Sequence, residues 1–191
     1  MKPGLRAVIM KPGLTRVRWL LTICLVLFST GVAADIPSAA NECVSDLLET
    51  TPSSDFRPVL GGMMVYHEPT ELFWLRCPVG MSWTGTDCAG SASMGSWGAA
   101  LEFAEQEGSA FRVPSISELR SIVELCKTGP AVNEEVFPGT PSDRFWSATP
   151  FLLSGKALGV SFDSGSDAER NMIAGAYLRL VVNLPRWVLD L

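Results

Sequence analysis

The chain holds 191 residues, with 15 Lys and Arg against 20 Asp and Glu, one histidine and five cysteines. A net charge of −5 is a poor match for nucleic acid and polyanionic glycans, which need a basic footprint. One imidazole leaves a hydrolytic triad a single candidate base, His67. Without any Cys-x-x-Cys pair, zinc binding and thiol redox catalysis are both disfavoured.

Residues 1–34 read as a secretory signal. Lys2, Arg6, Lys11, Arg16 and Arg18 precede the apolar run Trp19 to Phe28, and Val32-Ala33-Ala34 supplies the small residues of a cleavage site. The run is shorter than the about 20 residues of a membrane span, so no stable span is expected after cleavage. The repeated Met-Lys-Pro-Gly-Leu at 1–5 and 10–14 offers Met10 as a second start. Cleavage after Ala34 leaves 157 residues, enough for one core. Ten bases then face all twenty acids, and the net charge becomes −10. The expected location is secreted, periplasmic or at the cell surface. Loss of Cys24 leaves Cys43, Cys77, Cys88 and Cys126, an even set that reads as two disulfides with three connectivities.

Residues 35–58, rich in Ser, Thr, Pro and acid, read as a leader pinned by Cys43. Met63 to His67 and Leu72 to Arg76 form a hairpin pattern around Glu68-Pro69-Thr70-Glu71. Residues 78–95 carry five Gly or Pro and read as a loop closed by Cys77 and Cys88. Ser96 caps a helix with Trp97, Ala100, Leu101 and Ala104 on one face, stopped by Gly108. Ser115-Ile116-Ser117-Glu118 is a capping box. Ile116, Leu119, Val123 and Cys126 extend that second helix to Gly129-Pro130, with Cys126 on its buried face. Strands follow at Arg144 to Thr149, Leu158 to Phe162 and Ile173 to Val182, with Asp163 to Glu169 as a hairpin loop. Strands segregated from helices in this way predict an α+β domain over residues 59–183. The apolar tail 184–191 is expected to pack, as an extra strand, rather than to meet a partner.

Several blocks resemble the Lcl C-terminal domain family, also called DUF1566. Leu72-Phe73-Trp74-Leu75-Arg76-Cys77 resembles its "GLMWkrC" opening, and Gly80-Met81-Ser82-Trp83-Thr84-Gly85 with Cys88 continues the match. Phe111-Arg112-Val113-Pro114 with Ser117-Glu118-Leu119 is similar to "WRLP…kEL", although Phe111 replaces Trp and Val113 replaces Leu. Phe137 to Pro141, Phe145 to Thr149, Val160-Ser161-Phe162 with Gly165, and Leu178-Arg179-Leu180-Val181 follow in order. Val182 stands where the closing pattern has a second Arg. The resemblance implies a C-type-lectin-like fold of two helices, short mixed and antiparallel strands and long disulfide-stapled loops. It also implies a binding role outside the cytoplasm, adhesin-type in some relatives.

The candidate ligand residues are Arg112, Trp83, Trp146, Asp163 and Asp167. Arg112 suits a ligand carboxylate, but such an arginine more often ties loops together. Trp74, Trp97 and Trp146 suit sugar stacking, but aromatics at element starts are more often core. Asp163, Asp167 and Glu169 alternate as weak calcium candidates, yet lack EF-hand spacing and the Glu-Pro-Asn motif of calcium-dependent lectins. No catalytic residue, other metal or cofactor is expected. Of the three connectivities, Cys77–Cys88 with Cys43–Cys126 is favoured, the first closing a short loop and the second tying the leader to the second helix. The expected function is an exported, non-catalytic binding module for a glycan or an envelope or host-surface protein. The alternative is an assembly subunit of an envelope appendage, docking through its C-terminal tail.

Overall fold

The computed structural model describes Cys43, residues 47–152 and residues 154–190. Residues 1–34, read from the sequence as a signal, Cys24 and most of the leader before Leu47 lie outside the described residues. Among the described residues, no helix is long and apolar enough to cross a membrane.

A five-stranded antiparallel sheet opens the domain. Its strands are β1 (Phe56–Val59), β2 (Met64–His67) and β3 (Leu72–Leu75), the last two forming the expected hairpin. The strand β1 straddles the expected boundary at residue 58, so the end of the stretch read from the sequence as leader belongs to the sheet. Two short strands from later in the chain, β7 (Phe111–Arg112) and β12 (Val181–Val182), complete the order β1-β2-β3-β12-β7. Alternation along these strands gives the sheet two buried faces. Phe56, Val65, Trp74 and Val181 point to the main core, against Leu119, Ile122, Phe137, Phe145 and Phe162. Val59, Met64, Tyr66, Phe73 and Val182 point the other way, under Val188 of the C-terminal tail. That tail packs as expected, but as a 3-10 turn (Arg186–Asp190) rather than a strand.

The residues read as one long loop contain the hairpin β4 (Met81–Trp83) and β5 (Cys88–Gly90), followed by β6 (Met94–Gly95). Gly80 has a φ of +94°, and a Cβ there would lie 2.3 Å from the Ser93 hydroxyl, so only glycine fits this corner. The disulfides join Cys77 to Cys88 and Cys43 to Cys126, with Cα atoms 5.5 and 4.8 Å apart.

Helix α1 (Trp97–Glu107) starts at the Ser96 cap and stops before Gly108, burying Ala100 and Ala104 against Trp146, Ala176 and Leu180. Helix α2 (Ile116–Arg120) has the expected capping box, but it ends about two turns early. Residues beyond it are buried on almost every side: Ile122, Val123, Glu124, Cys126 and Lys127 are all buried, and only Leu125 and Thr128 are exposed before Gly129. Here Val123 bridges Val132, and the Glu124 N–H donates to the Ala131 carbonyl, which takes the backbone out of the helical pattern.

The second sheet has the order β10-β9-β8-β11-β6, with β8 (Arg144–Phe151), β9 (Lys156–Ser161), β10 (Ser166–Asn171) and β11 (Ala176–Tyr177). The acidic stretch expected to be a hairpin loop is half strand, because the turn closes at Gly165 and Asp167 and Glu169 lie in β10. Ile173 to Val182, expected as one strand, divides between the two sheets as β11 and β12.

Glu124 organises the leader. Its carboxylate is 1% exposed and accepts the N–H groups of Thr50, Thr51 and Cys126 and the hydroxyls of Thr50 and Thr51. Burial pushes its pKa up, but these donors together outweigh burial and the net direction is down.

Candidate binding cleft

Beside the disulfide-closed hairpin lies an open cleft of about 720 Å³, larger than the hollow of about 430 Å³ between Thr50 and Asp167. Trp83 forms one wall of the cleft, Phe103 and Glu107 of α1 stand in another, and Leu75 at the end of β3 and Leu180 just before β12 complete it.

The Trp83 wall is held from behind. Its indole N–H donates to the Gly61 carbonyl at 3.1 Å, and the Arg76 guanidinium sits 4.1 Å from the ring centroid. Arg76 in turn donates to the carbonyls of Val136 (2.8 Å), Glu135 (2.6 Å) and Gly62 (3.4 Å), and burial lowers its pKa. Beneath it, Arg179 is wholly buried and donates to the Leu75 carbonyl at 3.0 Å, to the Arg76 carbonyl and to the Thr140 hydroxyl at 2.6 Å. Its guanidinium lies 4.7 Å from the Phe137 ring centroid, and no ion pair among the described residues includes it. Burial, aided by the Arg76 charge, pulls its pKa down to about 9. The line from Phe137 through Arg179 and Arg76 to Trp83 therefore couples the core to the cleft wall.

Of the candidate ligand residues read from the sequence, Trp83 alone lines this cleft, beside Cys77 of the short disulfide. Trp146 is 1% exposed, with its N–H given to the Gly95 carbonyl, so it belongs to the core and cannot meet a ligand. Trp74 is likewise buried. Arg112 borders a separate hollow of about 350 Å³, but both arms of its fork grip Glu118 at 2.7 Å. That grip, opposed by burial and joined by the Ser115 N–H, holds the Glu118 carboxyl down to about 2.

The calcium candidates do not converge. Asp163 accepts from the Ser142 hydroxyl, Asp167 pairs with Arg120, and Glu169 pairs with Lys156 at 2.7 Å. The one cluster of three metal-type donors among the described residues is Cys43, Glu124 and Cys126, whose sulfurs are bonded to each other. His67 is buried, stacked 4.5 Å from the Phe56 ring, with Nδ1 at 2.7 Å from the Thr70 hydroxyl. Burial lowers its pKa, against the pull of Asp55.

Sequence reading passed over Arg76, Arg179 and Glu124. Arg179 did carry a signal: a charge inside the apolar run Tyr177 to Val182 has to be satisfied internally.

These features define a two-disulfide α+β domain of two five-stranded sheets with an open, mostly apolar cleft. The family model of the Lcl C-terminal domain matches residues 63–182, more than half of the chain, and the chain belongs to that family. The match runs from the residue before β2 to the end of β12, so β1 and the C-terminal tail flank it. Comparison with curated proteins gives no match.

Proposed function

We propose that this protein is a non-catalytic recognition module working outside the cytoplasm, C-type-lectin-like in fold, that binds a surface ligand in the cleft beside Trp83. The observation that carries this reading is the cleft itself, with an aromatic wall locked by Arg76 and Arg179. A rigid wall beside a loop-built opening is what recognition on a stable scaffold requires. The family and the two disulfides favour an adhesin-type role toward a glycan or a protein at the cell envelope.

The test is a binding screen of the purified, oxidised protein against glycan and envelope-protein panels, with and without calcium. A ligand lost on Trp83→Ala, with the melting temperature held, supports the reading. A ligand indifferent to Trp83→Ala sinks it.

A second reading rests on Trp187, which is 62% exposed on the tail next to a hollow of about 410 Å³ formed by Leu60 and Leu189. In that reading the tail docks the domain into an envelope assembly. Trp187→Ala would then abolish a partner complex without touching the cleft.

A further inference from the structure

The cleft has walls of a chemistry that selects among ligands. Met63, Val79, Met81, Phe103 and Leu180 present methyl, methylene and ring surface to it, whereas its hydrogen-bonding side chains are two serines, Ser82 and Ser93, and Glu107. A sugar ring needs polar partners around its hydroxyls, and a largely apolar wall leaves those hydroxyls desolvated and unpaired. Unbranched methionine side chains instead adapt to apolar groups of differing shape.

Charge narrows the choice further. Glu105 and Glu107 close the last turn of α1, no basic residue stands there, and no ion pair among the described residues involves either. A helix C-terminus carries partial negative charge and favours cations, so two carboxylates there leave an unmet demand for positive charge. Trp83 cannot meet a ligand cation well, because Arg76 already lies over its ring. Glu107 is the group on the cleft that would take it.

A second observation points to a polypeptide. Met63 stands on the cleft, 45% exposed, held in place by Gly62 (φ +79°), which packs against Trp83. A large apolar side chain kept in water beside a carboxylate is expected where a partner covers it, and a polypeptide is the partner that carries apolar and basic side chains side by side.

Building on the proposed recognition role, we infer that the cleft takes an extended polypeptide segment with a large apolar side chain next to a lysine or arginine, the base paired with Glu107. The apolar side chain sits between Trp83 and Phe103, and the peptide passes over Met63.

Fluorescence anisotropy of the full-length oxidised protein with labelled pentapeptides Gly-Lys-Xaa-Lys-Gly tests this, beside a panel of neutral and acidic oligosaccharides. Peptides with Trp, Leu or Met at Xaa should bind, and those with Ala or Asp should not. Replacing the flanking lysines by glutamates should weaken binding about tenfold, and Glu107→Lys should reverse that preference. Glu107 is exposed, so this variant folds, and a melting curve checks that it does. Saccharide binding that needs Trp83 but ignores Glu107→Lys overturns this inference and leaves the recognition role standing. Binding of any probe that ignores Trp83→Ala overturns both.

Discussion

Replacing Glu124 by glutamine changes one atom and should loosen the whole leader. The two carboxylate oxygens divide the donors between them. Oε2 accepts the Thr51 N–H (2.7 Å) and hydroxyl (2.9 Å), while Oε1 accepts the Thr50 hydroxyl (3.0 Å) and the Cys126 N–H (3.1 Å). The Thr50 N–H reaches both, at 2.9 and 3.0 Å. Glutamine retains one oxygen, so its amide group must face a buried donor whichever way it turns. One orphaned buried N–H costs about 1–3 kcal/mol, and loss of charge assistance in the other bonds brings the total to about 2–4 kcal/mol. For a domain of this size that lowers the melting temperature by about 5–15 °C. The assay is thermal unfolding at pH 7, followed by circular dichroism, of the wild type and Glu124→Gln. Both are repeated in a Cys43→Ser, Cys126→Ser background. With the leader untethered, the substitution should cost less, because Thr50 and Thr51 no longer have to stay. A shift below 1 °C, or the same shift in both backgrounds, would refute the claim that this carboxylate holds the leader.

Other outcomes follow from the same geometry. Glu118, held down to about 2 against an ordinary 4.5, adds stability above pH 4.5 that is lost as pH falls from 4.5 toward 2. In Arg112→Ala that loss should shrink, by about 1–2 kcal/mol once partial solvent screening is allowed for, and melting temperatures recorded against pH for both proteins should converge near pH 2. Arg179→Met removes the donors to the Leu75 and Arg76 carbonyls, and urea titration should show a loss of about 2–4 kcal/mol with altered Trp fluorescence. Val188→Asp places a charge against Tyr66 and Phe73 and should cost about 3 kcal/mol or more by the same titration, whereas Trp187→Ala should change stability by less than about 0.5 kcal/mol.

What the sequence made legible was local. The Ser115–Glu118 capping box, the Ser96 cap and the hairpin between Met63 and Arg76 depend on residues within a few positions of one another, and each formed as read. The favoured cysteine pairing also formed. Distant partners accounted for the misreadings. Helical spacing at Val123 and Cys126 was overridden because Glu124 is committed to Thr50, 74 residues earlier. Asp167 and Glu169 looked like loop acids because Arg120 and Lys156, which neutralise them, are remote or across a turn. Trp83 and Trp146 are alike in sequence context, and only the packing of β6 over Trp146 separates a wall residue from a core residue.

The seven residues from Ala176 to Val182 supply an interior strand to each sheet, β11 between β8 and β6, and β12 between β3 and β7. This short stretch, late in the domain, is therefore the piece that both sheets close around. Any nascent or truncated chain ending before Ala176 has four strand edges with nothing between them and cannot complete either sheet. Contacts between such distant parts of the chain make folding slow and cooperative. The domain thus has a built-in test of completeness, because a chain cut short stays open and is left to proteases.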